Sequence, residues 1–194
     1  MITRFVDYRG ATPDKTDEGV PLLTATHMKG GTVAHSLEPV FVSEATYASW
    51  MRRGFPSLGD VLLTMEAPLG EVAQITEQRV ALAQRLMLLK TDANRCMPDY
   101  LAFALRSTTM QDRLGAYATG STALGIKADR LKGLPLPVPS PTRQAEIVAA
   151  LRHDERTKMQ LARLLSHQLN LLVERRQALI TEAVTGEFRA PRDG

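Results

Sequence analysis

Residues Pro141 to Gly194 read PTRQAEIVAALRHDERTKMQLARLLSHQLNLLVERRQALITEAVTGEFRAPRDG, and this stretch decides the architecture. Between Thr142 and Ala190 it holds no proline, and no glycine occurs before Gly186, so nothing interrupts a helix for more than forty residues. At about 1.5 Å per residue such a helix runs roughly 60 Å, too long to be one face of a small globule. Leu151, Leu165, Leu172 and Leu179 follow a seven-residue repeat, with Ile147, Leu161, Leu169 and Ala183 filling in at helical spacing and charged residues around the rest. A helix with one apolar stripe is unstable alone in water, because packing of that stripe supplies most of its stability. The partner is either one specific helix or the domain that precedes it. Lys158 on the leucine register, with Asp154 and Gln168 on the intervening one, argues against a self-sufficient leucine zipper.

Working outward, LPLPVPSP carries three prolines within Pro135 to Pro139 and reads as a hinge between globule and helix. The expected organisation is therefore a mixed α+β globule over 1–140, a long helix over 141–188 and a tail over 189–194. MPDYLAFALRSTTMQDRLGAYATG predicts a helix from Pro98 to about Gly115, with Leu101, Ala104, Leu105 and Leu114 inward and Arg106, Gln111, Asp112 and Arg113 outward. GDVLLTMEAPLGEVAQI predicts a hairpin of two apolar runs, Val61 to Met65 and Val72 to Ile75, turning at Pro68 to Gly70. RVALAQRLMLLKT is ambiguous: its position after a hairpin suits a strand, whereas its pattern alone selects helix. Further back, a strand is expected at Val40 to Val42, with Ser43 capping a short helix from Glu44 to Arg53. The opening FVDYRGATPDKTDEGVPLLTATHMKGGTV is punctuated by Gly10, Pro13, Gly19, Gly30 and Gly31, and reads as loop-dominated β structure with a strand at Val20 to Thr24. Between helix and hinge, GSTALGIKADRLKG predicts a loop, a short helix and a short strand.

Composition excludes more than it selects. A chain of 194 residues with net charge +3 and pI near 9.2 is only mildly basic, compatible with an acidic polymer as partner but equally with an ordinary globule. One cysteine, Cys96, rules out an internal disulfide framework and suits a reducing cytosol. No run approaches the apolar length of a membrane span, and MITRFVDYRG lacks a signal-peptide core, so a cytoplasmic location is expected. The four histidines, His27, His35, His153 and His167, show no metal-ligand spacing, and no metal site is expected. GSTALGIK has glycines at phosphate-loop spacing, but Lys127 is misplaced and the metal-binding hydroxyl is missing. Neither a Gly-x-Ser-x-Gly elbow nor a Gly-x-Gly-x-x-Gly fingerprint occurs, nor an Asn-Pro-Pro-aromatic element for adenine methylation. The carboxylate groups, Asp14 with Asp17 and Glu18, and Asp154 with Glu155, fall in turns or on an exposed helix face. A binding protein without catalytic residues fits this inventory.

The order of motifs then becomes informative. RGATP (Arg9 to Pro13), GDVLLT (Gly59 to Thr64) with the following Pro68 to Gly70 turn, VALAQRLMLLK (Val80 to Lys90), YLAFALRS (Tyr100 to Ser107), GSTALGI (Gly120 to Ile126), LPLPVPSPTRQAEIVAAL (Leu134 to Leu151) and RRQALITEAVTGEF (Arg175 to Phe188) occur in sequence. Together they resemble one half of the specificity subunit of type I restriction-modification systems. The resemblance implies a target-recognition domain that reads one half of a bipartite double-stranded DNA site. It further implies a helix packed as an antiparallel coiled coil with a second specificity half or an identical copy, its length fixing the separation of half-sites. It also implies that Val80 to Lys90 is extended, against the pattern. Catalysis would belong elsewhere: S-adenosylmethionine to a methyltransferase subunit, ATP and Mg to a restriction subunit, with no cofactor in this chain.

Affinity for DNA needs cations on phosphates, and specificity needs side chains that reach base edges. The loop candidates are Arg9, Lys15 and Thr16, then His27 and Lys29, then Arg52 and Arg53, and finally Ser121, Thr122 and Lys127 around the glycine loop. For that last loop a plain structural reading stays open, since its glycines also suit a helix end and a chain turn. Helix-partner contacts are expected from Leu151, Leu161, Leu165, Leu169, Leu172 and Leu179. The competing function is a regulatory or scaffolding protein that assembles through its helix.

Overall fold

In the computed structural model, which describes residues 2–8, 10–34, 39–120 and 124–186, the turn at Asp60 opens the central sheet. Asp60 Oδ2 accepts from the Ser57 amide at 2.8 Å and from Lys90 Nζ at 2.6 Å, which fixes the entry of β6 (Val61–Met65). From there the chain returns antiparallel as β7 (Leu69–Gln74), after a turn that contains the cis Ala67–Pro68 bond. Both earlier-expected runs of the hairpin are present, with Leu69 and Gly70 already inside the second strand rather than in the turn. On its other edge β6 pairs with β9 (Leu86–Thr91), and β9 pairs with β1 (Ile2–Asp7), giving an antiparallel sheet in the order β1-β9-β6-β7.

This sheet is buried on both faces. Leu62, Ala73, Leu86 and Leu88 point into one apolar cluster, while Val61, Leu63, Val72, Met87 and Leu89 point into the other. Full burial of each leucine is worth about 1.5–3 kcal/mol. Strands covered on both sides lose the alternation that marks a half-exposed strand and read as continuous apolar runs. That explains Val80 to Lys90, where the helical pattern is overturned. The segment forms β8 (Ala81–Leu82), then a turn at Gln84 and Arg85 closed by the Leu86 amide on Ala83 O at 3.1 Å, then β9.

The first cluster is covered by β2 (Val20–Leu23), which pairs antiparallel with β5 (Phe41–Val42) and parallel with β8, and by the small hairpin β3 (Met28–Lys29) and β4 (Thr32–Val33). Helix α1 (Glu44–Trp50) follows, with Ser43 Oγ accepting from the Thr46 amide at 3.1 Å as an N-cap. The last part of the expected helix, Met51–Arg53, tightens into a 3-10 turn.

Helices α2 (Pro98–Arg106) and α3 (Thr108–Tyr117) cover the second face. A single helix was expected there; Ser107 divides it, because its backbone is extended (ψ 146°) and its hydroxyl caps α3 through the Met110 amide at 3.4 Å. Leu101, Leu105 and Leu114 are buried as the pattern requires. Gln111 departs from its expected outward role: its Nε2 donates to Gly70 O at 2.9 Å and Leu105 O at 2.7 Å, tying the helices to β7. After α4 (Ala128–Lys132) no strand forms between Gly133 and Ser140, where proline removes the amides a ladder needs.

Helix α5 (Pro141–Thr185) is 45 residues long, about 67 Å at 1.5 Å per residue, and the next residue, Gly186, takes φ 79°. The chain divides into two compact units, Met1–Val148 and Ala149–Gly194, so the first turns of α5 belong to the globule. Gln144 explains why. Its fully buried amide accepts from the Met97 amide at 2.8 Å and donates to Arg95 O at 2.9 Å and Pro139 O at 2.8 Å, while Val148 is buried one turn further on. In the second unit the helix exposes its leucines: Leu165 is 64% and Leu172 60% accessible. Among the described residues no helix is long and apolar enough to cross a membrane.

Candidate nucleic-acid interface

The arginine pair is positioned by a short polar lattice. The 3-10 turn Met51–Arg53 ends beside Tyr8, whose hydroxyl donates to Gly54 O. Arg4 donates to Arg53 O, and Arg53 Nη1 donates to Asp7 O at 2.8 Å, so the backbone of the turn is tied to β1. Tyr8 stacks on Trp50 with ring centroids 6.4 Å apart, and Trp50 Nε1 donates to Leu82 O at 2.9 Å. Burial pushes the Tyr8 phenol above its ordinary range, against the lowering pull of Arg4 and Arg53. The result is a cleft of about 220 Å³ lined by Tyr8, Gly10, Ala11, Ser49, Trp50, Arg52 and Arg53. Arg52 is exposed there and makes no hydrogen bond or ion pair to the described residues.

The first loop continues from that cleft into a second one of about 230 Å³, where Thr12, Pro13 and Lys15 meet Leu22, Thr24, Ala25, Thr26, Ala83, Gln84 and Arg85. The loop is stapled by the Thr16 amide on Phe41 O at 3.0 Å and the Thr16 hydroxyl on Glu18 O at 2.8 Å. Thr16 therefore spends its hydroxyl on the loop, and Lys15 stays exposed. Gln84 Nε2 donates to Thr12 Oγ1 at 3.2 Å, joining the loop to the β8–β9 turn. Arg85 Nε lies 3.4 Å from Glu66 Oε1.

The structure places the remaining expected contacts differently. His27 is 7% exposed, and its Nδ1 accepts from the Thr24 amide at 3.0 Å, so this ring caps a 3-10 turn inside the first cluster instead of presenting itself at the surface. Lys29 is exposed on the β3–β4 hairpin and lines neither cleft. Lys127 is exposed at the start of α4. Arg9, Ser121 and Thr122 lie outside the described residues. The flanks of their glycine-rich loop are stitched down: Thr119 and Gly125 exchange backbone bonds at 2.8 and 3.0 Å, and the Ile126 amide donates to Met65 O at 2.9 Å. Helix α3 ends at Tyr117, before Gly120.

The second cleft also holds Thr24, Thr26, Gln84 and Arg85, none of which was a candidate from the sequence. Gln84 and Arg85 were the signal, a polar pair interrupting an otherwise apolar segment from Val80 to Leu89. His27 also had one, since Thr24-x-x-His27 has the spacing of a reciprocal cap. Among the described residues no group of three or more His, Cys, Asp or Glu side chains is placed to hold a metal ion.

A mixed α+β globule followed by one long helix has counterparts among solved structures. A structure of the type I R-M system, described for its complex assembly and conformational transition, aligns at TM-score 0.66 and 19% identity over 93% of this chain and 45% of that chain. The HsdS subunit from Thermoanaerobacter tengcongensis aligns at 0.60 and 19% over 95% of this chain and 45% of its own. The type I S subunit from M. genitalium aligns at 0.50 and 20%, over 86% and 38%. These likenesses establish the fold, and this chain spans less than half the length of each. No curated protein matches the chain by sequence. Residues 51–170 match the type I restriction modification DNA specificity domain, and the chain belongs to that family.

Proposed function

We propose that the globule reads one half of a bipartite DNA sequence for a type I restriction-modification complex and performs no catalysis itself. The observation that carries this reading is the meeting of the first loop with the Arg52 and Arg53 turn and with the β8–β9 turn, within a chain of the DNA specificity family. Three separated segments converge there, and they supply what duplex recognition requires. Arg52, Arg53 and Lys15 offer cations for phosphates, and threonine and glutamine side chains offer groups that pair with base edges.

The second unit then serves assembly. Leu151, Leu161, Leu165, Leu169, Leu172 and Leu179 fall in a sector about 80° wide on a helix turning 100° per residue. Such a stripe suits one antiparallel partner helix, from a second copy or from another specificity half, and the paired length sets the spacing of two half-sites. Methyltransferase and restriction subunits dock on this assembly and carry S-adenosylmethionine, ATP and Mg.

Affinity for duplex DNA measured against salt concentration tests the reading. A protein that neutralises several phosphates loses about tenfold or more in affinity between 50 and 200 mM salt, and Arg52→Ala with Arg53→Ala shallows that slope. A flat dependence contradicts phosphate contact and favours a scaffolding protein.

A further inference from the structure

Four glutamines of the globule spend their amides in two ways. Gln74 donates to Gly59 O, Gln111 to the Gly70 and Leu105 carbonyls, and Gln144 to those of Arg95 and Pro139. Each of these satisfies backbone groups that folding would otherwise strand. Gln84 satisfies none. It stands half-buried at the tip of the turn closed by Leu86 and Ala83, and its Nε2 donates to a side-chain hydroxyl, that of exposed Thr12. Among the described residues its Oε1 accepts no hydrogen bond.

A primary amide has two N–H groups, one on the side of its own oxygen and one opposite. When Thr12 holds the N–H opposite the amide oxygen, the N–H on the oxygen's side and the oxygen form an adjacent donor and acceptor, the pair that matches N7 and the N6 amino group of adenine in the major groove. Cations flank the cleft: Lys15 on the first loop beside exposed Asp14, and Arg85, whose charge Glu66 shares.

Building on the proposed reading of DNA, we infer that Gln84 recognises one adenine of the target half-site, with Thr12 as the residue that positions its amide. An A·T pair then occupies one fixed position of the recognised sequence.

Selection from a pool of randomised duplexes by the full chain, followed by sequencing, tests this. The unaltered chain recovers a motif in which one position prefers A·T by about tenfold or more. Gln84→Ala flattens that position alone, Thr12→Val blunts it, and Gln84→Glu shifts it towards C·G, because a carboxylate accepts from the cytosine amino group. Unchanged motifs in Gln84→Ala and Gln84→Glu, with melting also unchanged, overturn the inference and leave DNA reading intact. Should Gln84→Ala fail to fold, the near-isosteric Gln84→Glu decides by the same readout. If the unaltered chain recovers no motif, the reading and the inference fall together.

Discussion

The two units of this chain treat leucine in opposite ways. In the globule, Leu62, Leu63, Leu86 and Leu88 are wholly removed from solvent between two clusters. In the second unit, Leu161, Leu164, Leu165, Leu169 and Leu172 are each more than half exposed. The same residue type thus closes one unit on itself and leaves the other open. A globule that buries its apolar surface leaves polar loops at its surface, whereas a helix that does not bury its leucines leaves an apolar stripe uncovered.

The sharpest way to break the comparison is Leu172→Asp. A charge in the middle of the stripe is expected to abolish helix-mediated association, read as solution mass by sedimentation; unchanged mass and melting would remove the pairing role. Next comes a matched pair of truncations. Leu88→Ala should lower stability by about 2–5 kcal/mol, because it opens a cavity in a closed core. Leu165→Ala in the dissociated chain should change it by less than about 0.5 kcal/mol, as for an exposed site. Urea unfolding separates the two, and equal costs would show that the helix is not open.

At the junction, Gln144→Leu strands the Met97 amide and the carbonyls of Arg95 and Pro139. A loss of about 3 kcal/mol is expected, with faster proteolysis near Pro139. A neutral effect would mean that these groups find water instead. The smallest effect concerns Tyr8. Its phenol is raised above the usual 10.0, so the folded state holds the proton more tightly than the unfolded chain. Stability from this group is intact below pH 10 and falls as pH rises through and above it. Tyr8→Phe should cost about 1 kcal/mol at neutral pH and remove part of that alkaline slope; an identical slope in both proteins would assign it elsewhere.

Much of the open unit was legible in sequence, because heptad leucines and the absence of glycine and proline are local signals. The closed unit was less so. Its β6–β7 hairpin is flanked by turn residues and could be read, but β9 lies between β1 and β6 with both faces covered, and only tertiary pairing distinguishes its apolar run from a helix. Ser107 resembled a helix-interior residue until its cap was visible. In the candidate site, charge and place in the chain singled out Arg52 and Arg53, and both line the first cleft. His27 was misplaced because its one local sign, the Thr24-x-x-His27 cap spacing, was outweighed by its place in a polar loop. Gln84 escaped because its relation to Thr12 spans 72 residues and exists only in the fold.

The central claim, that this chain confers sequence specificity, is tested most directly by mapping methylated adenines on genomic DNA treated with the methyltransferase subunit of the same system, with and without the chain. The account predicts methylation confined to one bipartite sequence only when the chain is present. Methylation at the same positions in both samples would contradict it.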